Sequence, residues 1–344
     1  MIRKGESFYH CMSRVVDKQF IFNEMEKNCF RKIMRKLEQF LGVEVVTYCL
    51  MSNHFHLLVR VPDKERNAAL SEEELLELLP VLYQGNQLME VRQKLELARK
   101  SGDSRWTRQI LETFEKRRGN LSVFLKELKQ RFTQWYNRRK GRRGTLWEDR
   151  FKSVLVEGSE NALLTMAAYI DLNSVRAGLV DDPKDYGWCG YAEAVAGNRM
   201  ARRGLCAILE QTPYAENWKV TWRDTAAKYR LLLFGKGEAV AADPEFGTKG
   251  KLGFSTERIE AEIERGGKLS IPEILRCRVR YFCDGAIFGS VEFVNEVFQA
   301  QRSRYGPKRK TGARRMQGAD WGELRVLRDL RVDVFGNRGV STTQ

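Results

Sequence analysis

The chain has 344 residues, of which 60 are lysine or arginine and 45 are aspartate or glutamate, so its formal net charge at pH 7 is +15. An excess of this size favours a polyanionic partner, most commonly nucleic acid. The sequence contains no run of 18 apolar residues and begins without a signal-peptide core, so we expect a cytoplasmic protein without a membrane span. Its seven cysteines show no paired spacing, which indicates reduced thiols and argues against a zinc site.

The N-terminal part of the chain predicts the order strand, helix, strand, strand. A strand is expected at 8–15 and a helix, capped by Asn23 and ended by Gly42, follows it. Two further strands are expected at 43–50 and 54–61.

Two of the three histidines, His54 and His56, stand two residues apart in the strand at 54–61. Residues i and i+2 of a strand project from the same face, so the two imidazoles project together while Phe55 points the opposite way into a core. Paired imidazoles on a rigid strand are a candidate site for a divalent metal. The alternative is a pair of surface or hydrogen-bonded histidines without a ligand.

The middle of the chain is mostly helical. Charged amphipathic segments across about 63–120 are interpreted as a helical insertion, and a clear amphipathic helix follows at 121–139. A strand is predicted at 150–157 and a helix, capped by Ser159, at 159–177. This order predicts an α+β fold with one antiparallel sheet and helices packed on it.

We divide the chain into two regions. Residues 1–195 are expected to form the main domain, and residues 196–344 a basic C-terminal extension with a small helical DNA-binding region. Residues 235–270 are rich in Gly, Glu and Lys and are predicted to be a mobile linker. The basic run from Arg302 to Arg315 is predicted to be a flexible DNA-binding arm.

The predicted helix at 159–177 carries Tyr169 and Asn173, which are four residues apart and share a face, whereas Asp171 lies on nearly the opposite side. A tyrosine there could be a core residue that uses its hydroxyl for one hydrogen bond. Together with two histidines and a basic chain, however, Tyr169 and Asn173 suit the metal-assisted attack of a tyrosine on a phosphodiester. Mg²⁺ or Mn²⁺ is compatible with imidazole, carboxamide and phosphate ligands.

Several other residues compete for roles. Tyr136 is the rival nucleophile, but it neighbours an apolar helical stripe and is predicted to pack. His10, in the first strand, could face the site or simply sit in the sheet, and Trp147 could be core or stack a base. Eight basic residues are predicted to contact DNA phosphates: Arg138, Arg139, Lys140, Arg142, Arg143, Arg150, Lys152 and Arg176.

Four stretches of the chain, in this order, carry a resemblance to a known family. They are FYHCMSRVVDKQFIF (8–22), YCLMSNHFHLLVRV (48–61), FTQWYNRRKGRRGTLWEDRFKSVLVE (132–157) and YIDLNSVRAGLV (169–180). In them the chain resembles the single-tyrosine transposases of the His-hydrophobic-His (HUH) superfamily, in particular the REP-associated tyrosine transposases. One departure is Ser174, where that family usually has proline.

The resemblance implies a ferredoxin-like nuclease fold, a divalent metal and a single-stranded DNA substrate with a REP-like hairpin. It implies His54, His56 and Asn173 as metal ligands and Tyr169 as the nucleophile. We therefore expect a metal-dependent DNA endonuclease and strand transferase, a monomer or homodimer, that forms a 5′-phosphotyrosine intermediate during transposition. The alternatives are a domesticated hairpin-binding regulator that does not cleave and a replication-initiation or relaxase-type nickase.

Overall fold

The structure is a computed structural model, and it describes residues 5–63, 69–211, 220–234, 271–276, 279–317 and 319–328. The predicted linker at 235–270 lies outside the described residues. Across the described ranges, no helix is long and apolar enough to cross a membrane.

Six strands of the described chain form one sheet in the order β2-β3-β1-β4-β5-β6. The strands are β1 (Ser7–Arg14), β2 (Glu44–Leu50), β3 (His54–Val61), β4 (Lys152–Val156), β5 (Gly285–Gly289) and β6 (Arg325–Arg328). All neighbouring strands are antiparallel except β4 and β5. The order β2-β3-β1-β4 is that of a ferredoxin-like sheet, so the predicted α+β fold with an antiparallel sheet is confirmed.

The helices flank this sheet and connect its strands. They are α1 (Glu24–Leu41), α2 (Glu72–Leu82), α3 (Gly85–Ser101), α4 (Ser104–Glu115), α5 (Leu121–Lys140), α6 (Glu160–Asp171), α7 (Asn173–Arg176), α8 (Gly190–Val195), α9 (Arg199–Leu209), α10 (Trp222–Phe234), α11 (Ile271–Leu275), α12 (Arg280–Asp284) and α13 (Val291–Ala300). Helix α1 begins and ends as predicted, because the Asn23 side chain accepts bonds from two backbone amides and Gly42 adopts a φ of 65°.

One face of the sheet, which we call the aromatic face, is packed with large apolar side chains. Phe55 of β3 lies there as predicted, with its ring 5.0 Å from that of Phe30 and 5.5 Å from that of Trp147. Trp147 is 7% exposed and its indole nitrogen donates to Thr133 Oγ1 at 2.9 Å, so it belongs to the core. Helices α1 and α5 and the inserted helices α2, α3 and α4 contribute to the same apolar cluster.

The opposite face, which we call the histidine face, carries the even-numbered residues of β1 and β3. Helices α6, α8 and α9 pack on it. Gly190 of α8 and Gly204 of α9 allow a close approach to β2, since a Cβ on Gly190 would lie 2.2 Å from Thr47 Oγ1 and one on Gly204 would lie 2.6 Å from the Val45 carbonyl oxygen.

The predicted helix at 159–177 is interrupted at Leu172, whose ψ is 2°, so Tyr169 lies in α6 and Asn173 begins α7. The Arg176 guanidinium donates to the Tyr169 carbonyl oxygen at 2.6 Å. In a continuous helix this oxygen would accept a hydrogen bond from the backbone amide four residues later. The predicted cap residue Ser159 precedes α6 without capping it, because its hydroxyl donates to Glu157 instead.

The C-terminal extension contributes strands as well as the predicted helices. Strand β5 lies beside β4, with Leu155 paired to Ile287, and β6 completes the sheet. The run from Arg302 to Arg315, expected to be a flexible arm, packs against α13 instead, because Tyr305 is buried with its ring 4.7 Å from that of Phe298.

Candidate active site on the histidine face

Strand pairing brings all three histidines of the chain together. Arg14 of β1 pairs with His54 and Met12 with His56, which places His10 diagonally across from His56 on the same face. The ring centroids of His54 and His56 are 5.1 Å apart, and those of His10 and His56 are also 5.1 Å apart. The predicted same-face arrangement of His54 and His56 is thus confirmed, and His10 faces the site.

Hydrogen bonds orient the three imidazoles. His10 Nε2 lies 2.8 Å from His56 Nδ1, and His10 Nδ1 lies 2.9 Å from the backbone oxygen of Phe282 in α12. His54 Nδ1 lies 2.7 Å from the Asn53 side-chain oxygen. Each ring is therefore held by a defined partner on a rigid strand or its adjoining turn.

Burial favours the neutral form of two of these imidazoles. It lowers the pKa of His10 to about 4, although the hydrogen bond that His10 donates to the Phe282 carbonyl oxygen opposes this shift. Burial also lowers the pKa of His56 well below its ordinary value, and the neighbouring His10, His54, Arg176 and Arg14 lower it further. Neutral imidazoles retain a nitrogen lone pair, as metal coordination requires.

Tyr169 of α6 lies over the histidines within the same chain. Its ring centroid is 6.2 Å from that of His10 and 6.4 Å from that of His56, and both ring pairs meet edge to face. The Tyr169 hydroxyl lies 3.1 Å from Cys283 Sγ. The ring centroids of Tyr169 and Phe282 are 4.9 Å apart. The tyrosine is 2% exposed, so α12 covers the predicted nucleophile.

Arg176 supplies a positive charge beside this tyrosine. Its guanidinium lies 4.0 Å from the centroid of the Tyr169 ring. It is held by donating to the backbone oxygens of Leu275 and Tyr169. A cation in this position is attracted to the face of the aromatic ring, and the phosphate contact predicted for Arg176 from the sequence stays a prediction.

The predicted metal ligands fit a divalent ion only in part. Asn173 is half-buried and its amide nitrogen donates to the Ile170 carbonyl oxygen at 3.3 Å, so its place as third ligand remains a prediction. Among the described residues, no group of three or more His, Cys, Asp or Glu side chains could hold a metal. The donor set predicted from the sequence is two imidazoles and one carboxamide, and such a set would leave coordination positions for phosphate oxygens.

The predicted DNA-binding residues fall at two places. Lys152 is exposed and pairs with Met12, so it lies on the histidine face in the same row as His56. Apart from Arg176 of α7, the others lie in the last turn of α5 or between α5 and β4. They are Arg138, Arg139, Lys140, Arg142, Arg143 and Arg150. Of these, only Arg142 is half-buried, and it donates to the Thr145 carbonyl oxygen.

The rival nucleophile Tyr136 lies on the other side of the sheet. Its ring is 6.1 Å from that of Phe132, within the cluster on the aromatic face. The sheet therefore separates Tyr136 from the three imidazoles, and its predicted packing role agrees with this position.

Sequence reasoning missed three residues near the site and one exposed aromatic residue in the loop after β1. Arg14 has the same strand phase as His10, which alternation could have revealed. Phe282 and Cys283 had no local signal, because their contacts span more than a hundred residues of sequence. Phe20 is 82% exposed in the loop after β1, and Asn53 ties this loop to β3 by donating to the Lys18 carbonyl oxygen.

Comparison with known proteins gives one family match. Residues 5–70, which include β1, α1, β2 and β3, match the family described as IS200-like transposases, in agreement with the resemblance drawn from the sequence motifs. No curated protein matches the chain. A solved structure of a REP-associated tyrosine transposase bound to a REP hairpin is similar over 64% of this chain and 90% of that one, with 14% identity and a TM-score of 0.36.

Proposed function

Since residues 5–70 match the family described as IS200-like transposases, we propose that the chain is a metal-dependent single-stranded DNA endonuclease and strand transferase. The observation that carries the proposal is the convergence of His54, His56 and Tyr169 on one face of the sheet within one chain. We further propose that the substrate is a REP-like hairpin and that a 5′-phosphotyrosine intermediate forms during transposition.

In this proposal His54, His56 and Asn173 hold Mg²⁺ or Mn²⁺, and the ion supplies Lewis-acid polarisation of the scissile phosphate. His56 is kept neutral by burial and can therefore donate a nitrogen lone pair. Because the proposed ligands carry no negative charge, we expect weak metal binding until DNA supplies phosphate oxygens.

The reaction is a transesterification that needs no external reactant. The Tyr169 hydroxyl oxygen forms a bond to phosphorus, and the bond between phosphorus and the 3′ oxygen breaks. The phenolic proton is transferred in net to the leaving 3′ oxygen, and a second 3′-hydroxyl reverses the step to rejoin DNA. The Arg176 guanidinium, 4.0 Å from the Tyr169 ring, stabilises the phenolate during attack.

A scissile phosphate cannot reach Tyr169 in the described arrangement, because the tyrosine is 2% exposed beneath Phe282 and Cys283. Cleavage therefore requires the Phe282 and Cys283 side chains to turn away from Tyr169 when DNA binds, while the Phe282 backbone oxygen keeps its bond to His10. Such a displacement involves side chains of α12 rather than the sheet itself.

We propose that the flanking single strand passes Phe20 and that this exposed ring stacks a base. Phe20→Ala should weaken binding of a hairpin that carries a single-stranded flank by about fivefold or more, but not binding of the bare hairpin. Trp106→Ala, which removes an exposed aromatic from the inserted helix α4, is the matched control. Equal losses for both DNAs would contradict stacking of the flank.

The test of the main proposal is incubation with hairpin-flanked single-stranded DNA and Mn²⁺, followed by denaturing electrophoresis. A covalent protein–DNA adduct should form in the wild type, disappear when the metal is chelated, and be absent in Tyr169→Phe. Tyr136→Phe is the matched control and should retain it. Adduct that survives in Tyr169→Phe would exclude this nucleophile.

The burial of Tyr169 favours a second candidate, a hairpin-binding regulatory protein that does not cleave. The same experiment separates the two. Binding of the hairpin without adduct, under every metal and hairpin tested, would support the regulator, whereas His56→Ala that loses adduct and keeps binding would support the nuclease.

A further inference from the structure

The chain of hydrogen bonds that runs from α12 through β1 to β3 has a defined direction. It begins at the backbone oxygen of Phe282, which can only accept, so His10 Nδ1 must donate to it across 2.9 Å. A neutral imidazole carries hydrogen on one nitrogen only, which leaves His10 Nε2 as an acceptor.

His56 Nδ1 lies 2.8 Å from this acceptor, and it must therefore be the donor. The hydrogen of His56 is then on Nδ1, and the lone pair of its ring is on Nε2. Without this neighbour, a histidine is free to exchange its hydrogen between the two nitrogens, and one of the two forms has no lone pair on Nε2.

We infer that His10 is a positioning residue, which fixes the tautomer of His56 so that Nε2 is the atom presented to a metal ion. A metal-binding histidine is commonly oriented because its second ring nitrogen donates a hydrogen bond, most often to a carboxylate, a backbone carbonyl or water. Here a second, fully buried histidine takes this place, and the backbone of the C-terminal extension in turn sets the tautomer of that histidine.

The inference assigns a role to three otherwise unexplained facts. His10 is 0% exposed although it is polar, its two ring nitrogens both have partners, and one partner comes from a segment 272 residues away. Burial alone requires partners for the ring nitrogens of His10, but it does not require that one partner be the ring of a proposed metal ligand. The identity of the metal rests on the proposed function, but the tautomer of His56 does not.

The tautomer can be observed directly, because the chain contains only three histidines. In protein labelled with ¹⁵N at histidine, a protonated ring nitrogen and a bare one give well-separated NMR shifts. The wild type without metal should show a protonated Nδ1 and a bare Nε2 for His56, and the reverse for His56 would overturn the inference. This measurement requires no variant and no enzymatic activity.

Two variants then test whether the position matters for metal binding. His10→Leu removes the acceptor and should weaken binding of Mn²⁺, followed by the EPR signal of the free ion, by about 10- to 100-fold. His10→Gln retains an acceptor oxygen and a donor group and should lose much less. His10→Phe, which also lacks a nitrogen acceptor, replaces Leu if that variant fails to fold, with folding checked by circular dichroism.

The outcomes separate this inference from the proposed function. If His10→Leu keeps both the His56 tautomer and the Mn²⁺ affinity of the wild type while adduct still forms, the inference fails and the nuclease stands. If the wild type binds no Mn²⁺ and forms no adduct, the nuclease fails, and the NMR shifts alone decide the tautomer.

Discussion

Tyr169 and Asp171 lie two residues apart on α6, both are buried, and their polar atoms have very different surroundings. The Asp171 carboxylate accepts bonds from the hydroxyls of Thr47 and Tyr229 and from the backbone amide of Tyr191. The Tyr169 hydroxyl faces a thiol, which hydrogen-bonds weakly, and the Tyr169 ring lies beside two imidazoles and a guanidinium.

The difference separates a polar group that holds the fold together from one that the proposed reaction would use. Asp171 joins α6 to β2, α8 and α10 through strong donors, so exchanging it should damage stability. Tyr169 contributes an aromatic ring to packing, whereas its hydroxyl contributes little. Substitutions at each residue and its partners test this distinction.

The largest effect on stability is expected from Asp171→Asn. The amide nitrogen would face donors that now bind a carboxylate, and the free energy of unfolding should fall by about 2–4 kcal/mol in urea titrations. Asp181→Asn, at an exposed position of the same sequence neighbourhood, is the control and should change it by less than about 0.5 kcal/mol. Similar losses of unfolding free energy for both variants would show that the Asp171 carboxylate does not stabilise the fold.

Tyr229→Phe should have the next largest effect. It removes a hydroxyl that donates to the Asp171 carboxylate at 2.6 Å and leaves the ring in place, so we expect a loss of about 1–3 kcal/mol. Tyr169→Phe is the paired measurement and should cost less than about 1 kcal/mol, because a thiol is a weak hydrogen-bonding partner for the hydroxyl. A larger loss of unfolding free energy in Tyr169→Phe than in Tyr229→Phe would show that the Tyr169 hydroxyl is the one that stabilises the fold.

The stability supplied by Asp171 should also depend on pH. Burial raises its pKa from 3.8 to about 6, against the hydrogen bonds that favour the charged form. The folded state thus binds this proton more tightly than the unfolded state, and the contribution of Asp171 falls as pH rises from about 3.8 to about 6. The difference in unfolding free energy between wild type and Asp171→Asn should therefore be larger at pH 5 than at pH 7.5; an unchanged difference would contradict the raised pKa.

Cys283→Ala should have the smallest effect. The thiol is half-buried and touches the Tyr169 hydroxyl, so its loss should change the unfolding free energy by less than about 1 kcal/mol. Adduct formation should be unchanged or faster, because a smaller side chain then covers the nucleophile. A loss of adduct would instead give Cys283 a part in the reaction, and Cys206→Ala, which lies away from the histidines, is the control.

The sequence predicted the parts of this site that depend on local order. The alternation in β3 correctly placed His54 and His56 on one face, and the cap residues Asn23 and Gly42 correctly bounded α1. Resemblance in the motifs around Tyr169 pointed to the residue that the structure brings over the histidines.

The parts that escaped prediction depend on pairing between distant segments. His10 acquires its position from the register of β1 against β3, which alternation within one strand cannot give. The break at Leu172 accompanies a bond from the Arg176 guanidinium to the Tyr169 carbonyl oxygen. The spacing of apolar residues in the sequence gives no sign of this break. The strands β5 and β6 are short and depend on β4 for their pairing.

The bond between His10 and Phe282 also orders events during synthesis of the chain. Its two residues are separated by 272 positions, so a ribosome must translate most of the sequence before the second partner exists. Strands β1 and β3 can pair long before that, since His10 and His56 are 46 positions apart. In a nascent chain, His10 and His56 would thus be able to pair early, on β1 and β3. The bond from His10 to Phe282 and the contact of Cys283 with Tyr169 would form only after α12 has been synthesised.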